Sequence, residues 1–125
     1  MKMKRELITL QIMARMTDAD GKHFLAPLFR ADATKVGRFG VHKGSAGWRA
    51  TLIANGMMCL TAKTRLIAIK LAEKMDQIDA PWDEVATTPL VTTDHFPEAA
   101  IDQIMAIRAE GKASFIRQPQ GAKSE

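Results

Sequence analysis

Residues 37–75 read GRFGVHKGSAGWRATLIANGMMCLTAKTRLIAIKLAEKM, and their periodicity decides the fold. From Trp48 to Ala54 the chain alternates. Trp48, Ala50, Leu52 and Ala54 fall on one face of an extended strand, and Arg49, Thr51 and Ile53 on the other. Asn55-Gly56 follows. Such a pair between apolar runs marks a hairpin, because a type I′ turn needs positive φ at both central residues. Met57 to Leu60 is then the returning strand, and 48–61 a β-hairpin. Beyond it the period changes. Leu66, Ile67, Ala68, Leu71, Ala72 and Met75 share one side of a helix over 62–75, with Thr61 or Thr64 placed to cap it.

Working outward, Ile8, Leu10, Ile12 and Ala14 alternate with Leu7, Thr9, Gln11, Met13 and Arg15, which predicts a half-buried strand near 5–15. Thr17 to Gly21 is a turn by composition, and 22–30 a second strand. Pro27 has no N–H to give a ladder, so that strand belongs at an edge or a bulge. Residues 31–35 read as a connector and 36–43 as a further strand. After Met75, Pro81, Pro89 and scattered acids read as a loop laid over the surface, with Trp82 as its apolar anchor. Leu90–Thr93 reads as a short strand. A second helix over 97–110 opens on Pro97 and Glu98 and stops at Gly111. The sequence therefore predicts an α+β fold: a small antiparallel sheet packed by helix 62–75, plus helix 97–110. Residues 1–112 form one domain and 113–125 a flexible C-terminal tail.

Composition narrows the function classes. The 125 residues carry one cysteine, Cys59, so no intramolecular disulfide can form, and its apolar neighbours suit a buried structural thiol. No run approaches the roughly 20 apolar residues of a membrane span, and no secretory signal is visible, so the expectation is a cytoplasmic protein with no membrane partner. The net charge of +4 is unevenly spread. Between Arg30 and Lys74 nine Lys or Arg face Asp32 and Glu73, a balance of +7. Between Met75 and Glu110 eight acids face Arg108, a balance of −7. A basic centre suits a polyanion, unless the two segments neutralise each other within the fold.

Catalytic constellations are absent from the sequence. His23, His42 and His95 stand in separate segments, and there is no paired-histidine or paired-cysteine motif. The glycine pairs Gly37/Gly40 and Gly44/Gly47 do not open a helix as a phosphate cradle must. No cofactor or metal is expected, and the reading is non-enzymatic. Nucleic-acid binding fits better. Arg38 and His42 share one face of a strand, and Arg49 and Thr51 share one face of the next, opposite the Trp48 and Leu52 side. A small sheet backed by one helix can enter the major groove on its free face. Lys43 and Lys63, near strand and helix ends, are placed for phosphates.

With its FGV, GWRATL, turn and Ala-containing helix, the stretch 37–75 resembles the plant ethylene-response-factor DNA-binding domain. It is similar too to the arm-binding domains of phage and transposon tyrosine recombinases. That resemblance implies a three-stranded sheet in the major groove, with Arg38, His42, Lys43, Arg49 and Thr51 at strand positions that face duplex DNA.

Two functional expectations result. The first is a small DNA-binding or DNA-associated protein, of the kind phages and plasmids encode, acting through Arg38, His42, Lys43, Arg49, Thr51 and Lys63. The second is a protein–protein module, an inhibitor or accessory of a nucleic-acid-processing complex, docking through Asp76, Asp79, Trp82, Asp83 and Glu84 of the acidic segment 76–110. An exposed edge strand around Pro27 also leaves homodimerisation open.

Overall fold

The computed structural model describes residues 5–86 and 93–116. Five strands follow one another as neighbours in a single antiparallel sheet: β1 (Leu7–Thr17), β2 (His23–Val36), β3 (Phe39–Gly44), β4 (Gly47–Leu52) and β5 (Met58–Ala62). Helices α1 (Arg65–Asp76), α2 (Trp82–Ala86) and α3 (Glu98–Ala113) complete the α+β fold.

The hairpin at 48–61 is present, with Trp48 opposite Ala62 and Ala50 opposite Leu60. Its connection is longer than a two-residue Asn-Gly turn. Asn55 Oδ1 accepts from Met57 N at 3.1 Å, Gly56 N donates to Leu52 O, and Gly56 O accepts from Met13 N at 2.9 Å. Gly56 has φ +72, and a Cβ there would collide with Gln11 O, so only glycine lets β1 approach this turn. Residues 31–35 are not a connector but the second half of β2. Ala31 to Thr34 alternate small with polar side chains, but Lys35-Val36 reverses the period, so the pattern is too faint to announce a strand. Pro27 does sit at a bulge. Ile12 faces Phe29 while Met13 faces Pro27, which leaves Leu28 inserted.

Both faces of the sheet are covered at its centre. On one, Val36, Phe39, Val41, Ala50, Leu52, Leu60 and Ala62 pack against Ala68, Leu71, Ala72 and Met75 of α1 and Ile107 of α3. Burying each larger side chain contributes about 1.5–3 kcal/mol. Thr64 caps α1 by accepting from Ile67 N at 3.2 Å, and Leu66 of its expected apolar side lies exposed. On the other face, the sheet curls so that β1 returns over it. Leu10, Ile12 and Ala33 form a second core with Ile8, Ala31 and Ile53, and a Cβ at Gly40 would lie 3.0 Å from Leu10 Cδ2.

The segment after Met75 is more ordered than a surface loop. It contains α2, and Trp82 is buried at 6 % exposure, edge-on to Phe39 at 5.6 Å and to Phe96 at 5.8 Å. Gly111 does not stop α3, which runs on to Ala113. It is buried against Thr61 of β5. The expected strand at 90–93 lies outside the described residues, apart from Thr93 in a short 3-10 turn, as does the tail beyond Ile116.

Candidate nucleic-acid interface

The six residues nominated from sequence divide into three groups. His42 and Thr51 share a face, as alternation requires, but that face is the one the curl covers. They are 1 % and 0 % exposed, and His42 Nε2 lies 2.7 Å from Thr51 Oγ1. His42 Nδ1 is 3.2 Å from Lys43 O. A carbonyl only accepts, so Nδ1 carries the proton and Nε2 accepts from the threonine hydroxyl. Burial pushes the His42 pKa below the ordinary histidine value, a shift the Lys43 carbonyl opposes and the Arg49 charge reinforces. Neither residue presents a polar atom to a groove, so the free polar face expected across His42 and Thr51 is corrected to a covered one.

Arg38 is exposed but engaged. At the β2–β3 turn its Nη1 donates to Asp76 Oδ1 at 3.0 Å and to Asp76 O at 3.2 Å, and its backbone N donates to the same carboxylate. Its guanidinium also lies 5.9 Å from the centre of the Trp82 ring. It stands at the opposite end of α1 from the remaining three.

Lys43, Arg49 and Lys63 stand at one end of the sheet, Lys43 on the face of Trp48 and Arg49 on the face of His42. Lys43 pairs with Trp48 across β3–β4, Trp48 pairs with Ala62 across β4–β5, and Arg49 pairs with Thr61. Lys63 leaves β5 just before the α1 cap, its backbone N donating to Ser114 Oγ at 2.9 Å. The first turn of α1 carries no acid, so its positive end is uncompensated. A cleft of about 210 Å³ opens here between Trp48, Arg49, Thr61 and Phe115, with Gly47 beneath the Phe115 ring. The two aromatic walls were missed from sequence. Trp48 reads as core by alternation, and Phe115 lies in a stretch assigned to the tail.

The ion pairs among the described residues join Arg5 to Glu73, Lys35 to Glu6, Arg38 to Asp76 and Lys74 to Glu110. Two of them, from Arg38 and Lys74, tie the basic segment to the acidic one. Lys43, Arg49 and Lys63 enter none of the four, and neither do Arg15, Lys22, Arg30, Arg65, Lys70, Arg108 and Lys112.

The acidic set divides likewise. Asp76 is committed to Arg38, and Trp82 is a core residue whose Nε1 donates to Ile78 O at 2.9 Å, which corrects its expected place on a docking surface. Asp79, Asp83 and Glu84 are exposed. Burial pushes the Cys59 thiol up to about 11, and Sγ donates to Met57 O at 3.5 Å, so the sulfur is held protonated at neutral pH. Among the described residues no group of three metal-ligating side chains comes together, and no helix is long and apolar enough to cross a membrane. No known protein family, curated protein or solved structure matches this chain.

Proposed function

We propose that this chain is a non-enzymatic DNA-binding protein that meets phosphates with one end of its sheet, where the β3–β4 turn, the end of β5 and the start of α1 converge. The observation that carries the reading is the placement of Lys43, Arg49 and Lys63 at that end of the sheet, none of them in an ion pair of the described residues. Three cations beside an uncompensated helix N-terminus attract a polyanion at long range and bind it by displacing its counterions. The resemblance of 37–75 to sheet-based DNA-binding domains supports the same partner, through the end of the sheet instead of its face.

The test is binding to a labelled mixed-sequence duplex across a salt series. Wild type should bind at low salt and weaken steeply as salt rises. The triple variant Lys43→Ala/Arg49→Ala/Lys63→Ala should bind more weakly, its salt slope reduced by as much as about 3, near one unit per lost phosphate contact. Arg38→Ala should stay within about twofold of wild type, because that guanidinium is engaged with Asp76. A wild type that fails to bind at low salt, or a triple variant with an unchanged slope, overturns the reading.

A further inference from the structure

The cleft at the basic end brings two aromatic residues and a guanidinium to one space. The Phe115 ring lies over Gly47, where an added Cβ would stand 2.8 Å from it. Trp48, half-buried, borders the same cleft, and Phe115 is 38 % exposed. The two rings do not touch each other. Ring contacts among the described residues join Trp82 to Phe39 and to Phe96, and neither Trp48 nor Phe115 enters one. Arg49 is the third side of the cleft. A Cβ at Gly44 would lie 2.6 Å from Arg49 Nε, so this side chain rests across the β3–β4 turn. There Nη2 donates to Ser45 Oγ at 3.4 Å, its only side-chain hydrogen bond among the described residues. Most of the five guanidinium donors are thus left for an anion. No carboxylate lines the cleft.

We infer that this cleft takes one unpaired base of a single-stranded nucleic acid, stacked against Phe115 and Trp48, with the neighbouring phosphates on Arg49 and Lys63. The inference rests on the reading of this sheet end as a phosphate-binding surface and adds a base to it. Size selects a single ring. The volume of about 210 Å³ falls below the roughly 300–1,000 Å³ of sites that enclose a drug-sized molecule, so one flat ring enters and the rest of its chain stays outside. Charge selects an anionic ligand over a neutral aromatic one. Arg49 lines the cleft, and Lys63 is held next to Phe115 by the bond from its backbone N to Ser114 Oγ. Pairing state selects a single strand. A base inside a duplex already stacks on both faces, whereas an unpaired one offers its π-face to an aromatic side chain, whatever its identity.

The experiment is a fluorescence titration of the full chain with short oligothymidylate and oligouridylate, and with an abasic strand of equal length that keeps the phosphates and lacks the bases. A strand with bases should bind more tightly than the abasic one and quench tryptophan emission. Quenching by either strand supports the inference, and the tighter one names the sugar. Trp82 is enclosed, so the quenching reads Trp48 and should vanish in Trp48→Phe. Phe115→Ala, outside the two cores, should keep its circular dichroism spectrum and its duplex binding. It should bind the single strand about tenfold more weakly, as loss of a stacking partner requires. Single strands that bind no tighter than the abasic one overturn the inference. So does emission that does not change, quenching that survives in Trp48→Phe, or a Phe115→Ala chain that binds as wild type does. In each of these cases salt-dependent duplex binding leaves the phosphate reading standing. A chain that binds neither duplex nor single strand at low salt overturns both.

Discussion

His42 Nε2 accepts a hydrogen bond from Thr51 Oγ1 across 2.7 Å, and the two side chains are almost wholly enclosed. The bond crosses from β3 to β4 beneath the returning β1 strand. It is what allows two polar side chains to occupy the inner face of a curled sheet beside Leu10 and Ala33. With Nδ1 donating to Lys43 O, the imidazole satisfies both nitrogens inside the protein. The pair is therefore part of the architecture that presents Lys43 and Arg49 at the sheet end.

Removing the hydroxyl should expose how much this pair stabilises. Thr51→Val keeps the shape and leaves Nε2 a buried acceptor with no donor, which costs about 1–3 kcal/mol. Thr51→Ser keeps the hydroxyl and should cost less. Denaturant unfolding of both variants checks this. A valine variant as stable as wild type would mean that the bond contributes nothing.

The same histidine sets a pH dependence. Its folded pKa lies below the ordinary value of 6.5, so the unfolded chain takes up the proton first. Stability from this group is full above about 6.5 and is lost as pH falls from there towards the folded value. His42→Gln should flatten the stability profile in that window, while the carboxylate contribution at lower pH stays common to both chains. Unfolding midpoints measured at steps between about pH 7.5 and pH 5 should therefore converge or cross. Parallel profiles would show that His42 does not titrate between the two states.

Gly111 offers a case in which propensity and packing oppose each other. Alanine is favoured over glycine in a helix by about 1 kcal/mol. Here, however, an added Cβ would run into the backbone oxygen of Thr61, which β5 holds in place. Overpacking of this kind costs about 1–3 kcal/mol, and the obstacle is backbone, which cannot rotate away. Gly111→Ala should thus lower the melting temperature. A stabilised variant would place α3 further from β5.

What was legible in the sequence was local. Alternation at Ile8 to Ala14 and Trp48 to Leu52, Asn55-Gly56, and the 3.6-residue period from Leu66 to Met75 depend on neighbouring residues, and the strands and helix stand where those patterns put them. Alternation also sorted Arg49 and Thr51 from Trp48 and Leu52 correctly. It could not say what covers the second face, because Leu10, Ile12 and Ala33 reach it only through the curl and the Met13–Gly56 hydrogen bond, from far along the chain. Arg38 was legible as a cation and not as a partner of Asp76, 38 residues away. Lys43 and Lys63 read as exposed strand-end lysines, as they are.

Trp82 is where the acidic segment joins the core, and its replacement separates structure from docking. Its ring meets Phe39 and Phe96 edge-on, holds Nε1 to Ile78 O and lies beneath the Arg38 guanidinium. Trp82→Ala removes these contacts together and should cost about 3–5 kcal/mol, with the region around Asp76 and Arg38 loosening first. Reversing the exposed charges by Asp79→Lys and Asp83→Lys should change stability by no more than about 0.5 kcal/mol each. Hydrogen exchange of the wild-type and Trp82→Ala chains would read the first effect residue by residue, and chemical denaturation the second. If Trp82→Ala left stability and exchange at Phe39 unchanged, α2 would not be anchored to the sheet and the segment would be a free surface after all.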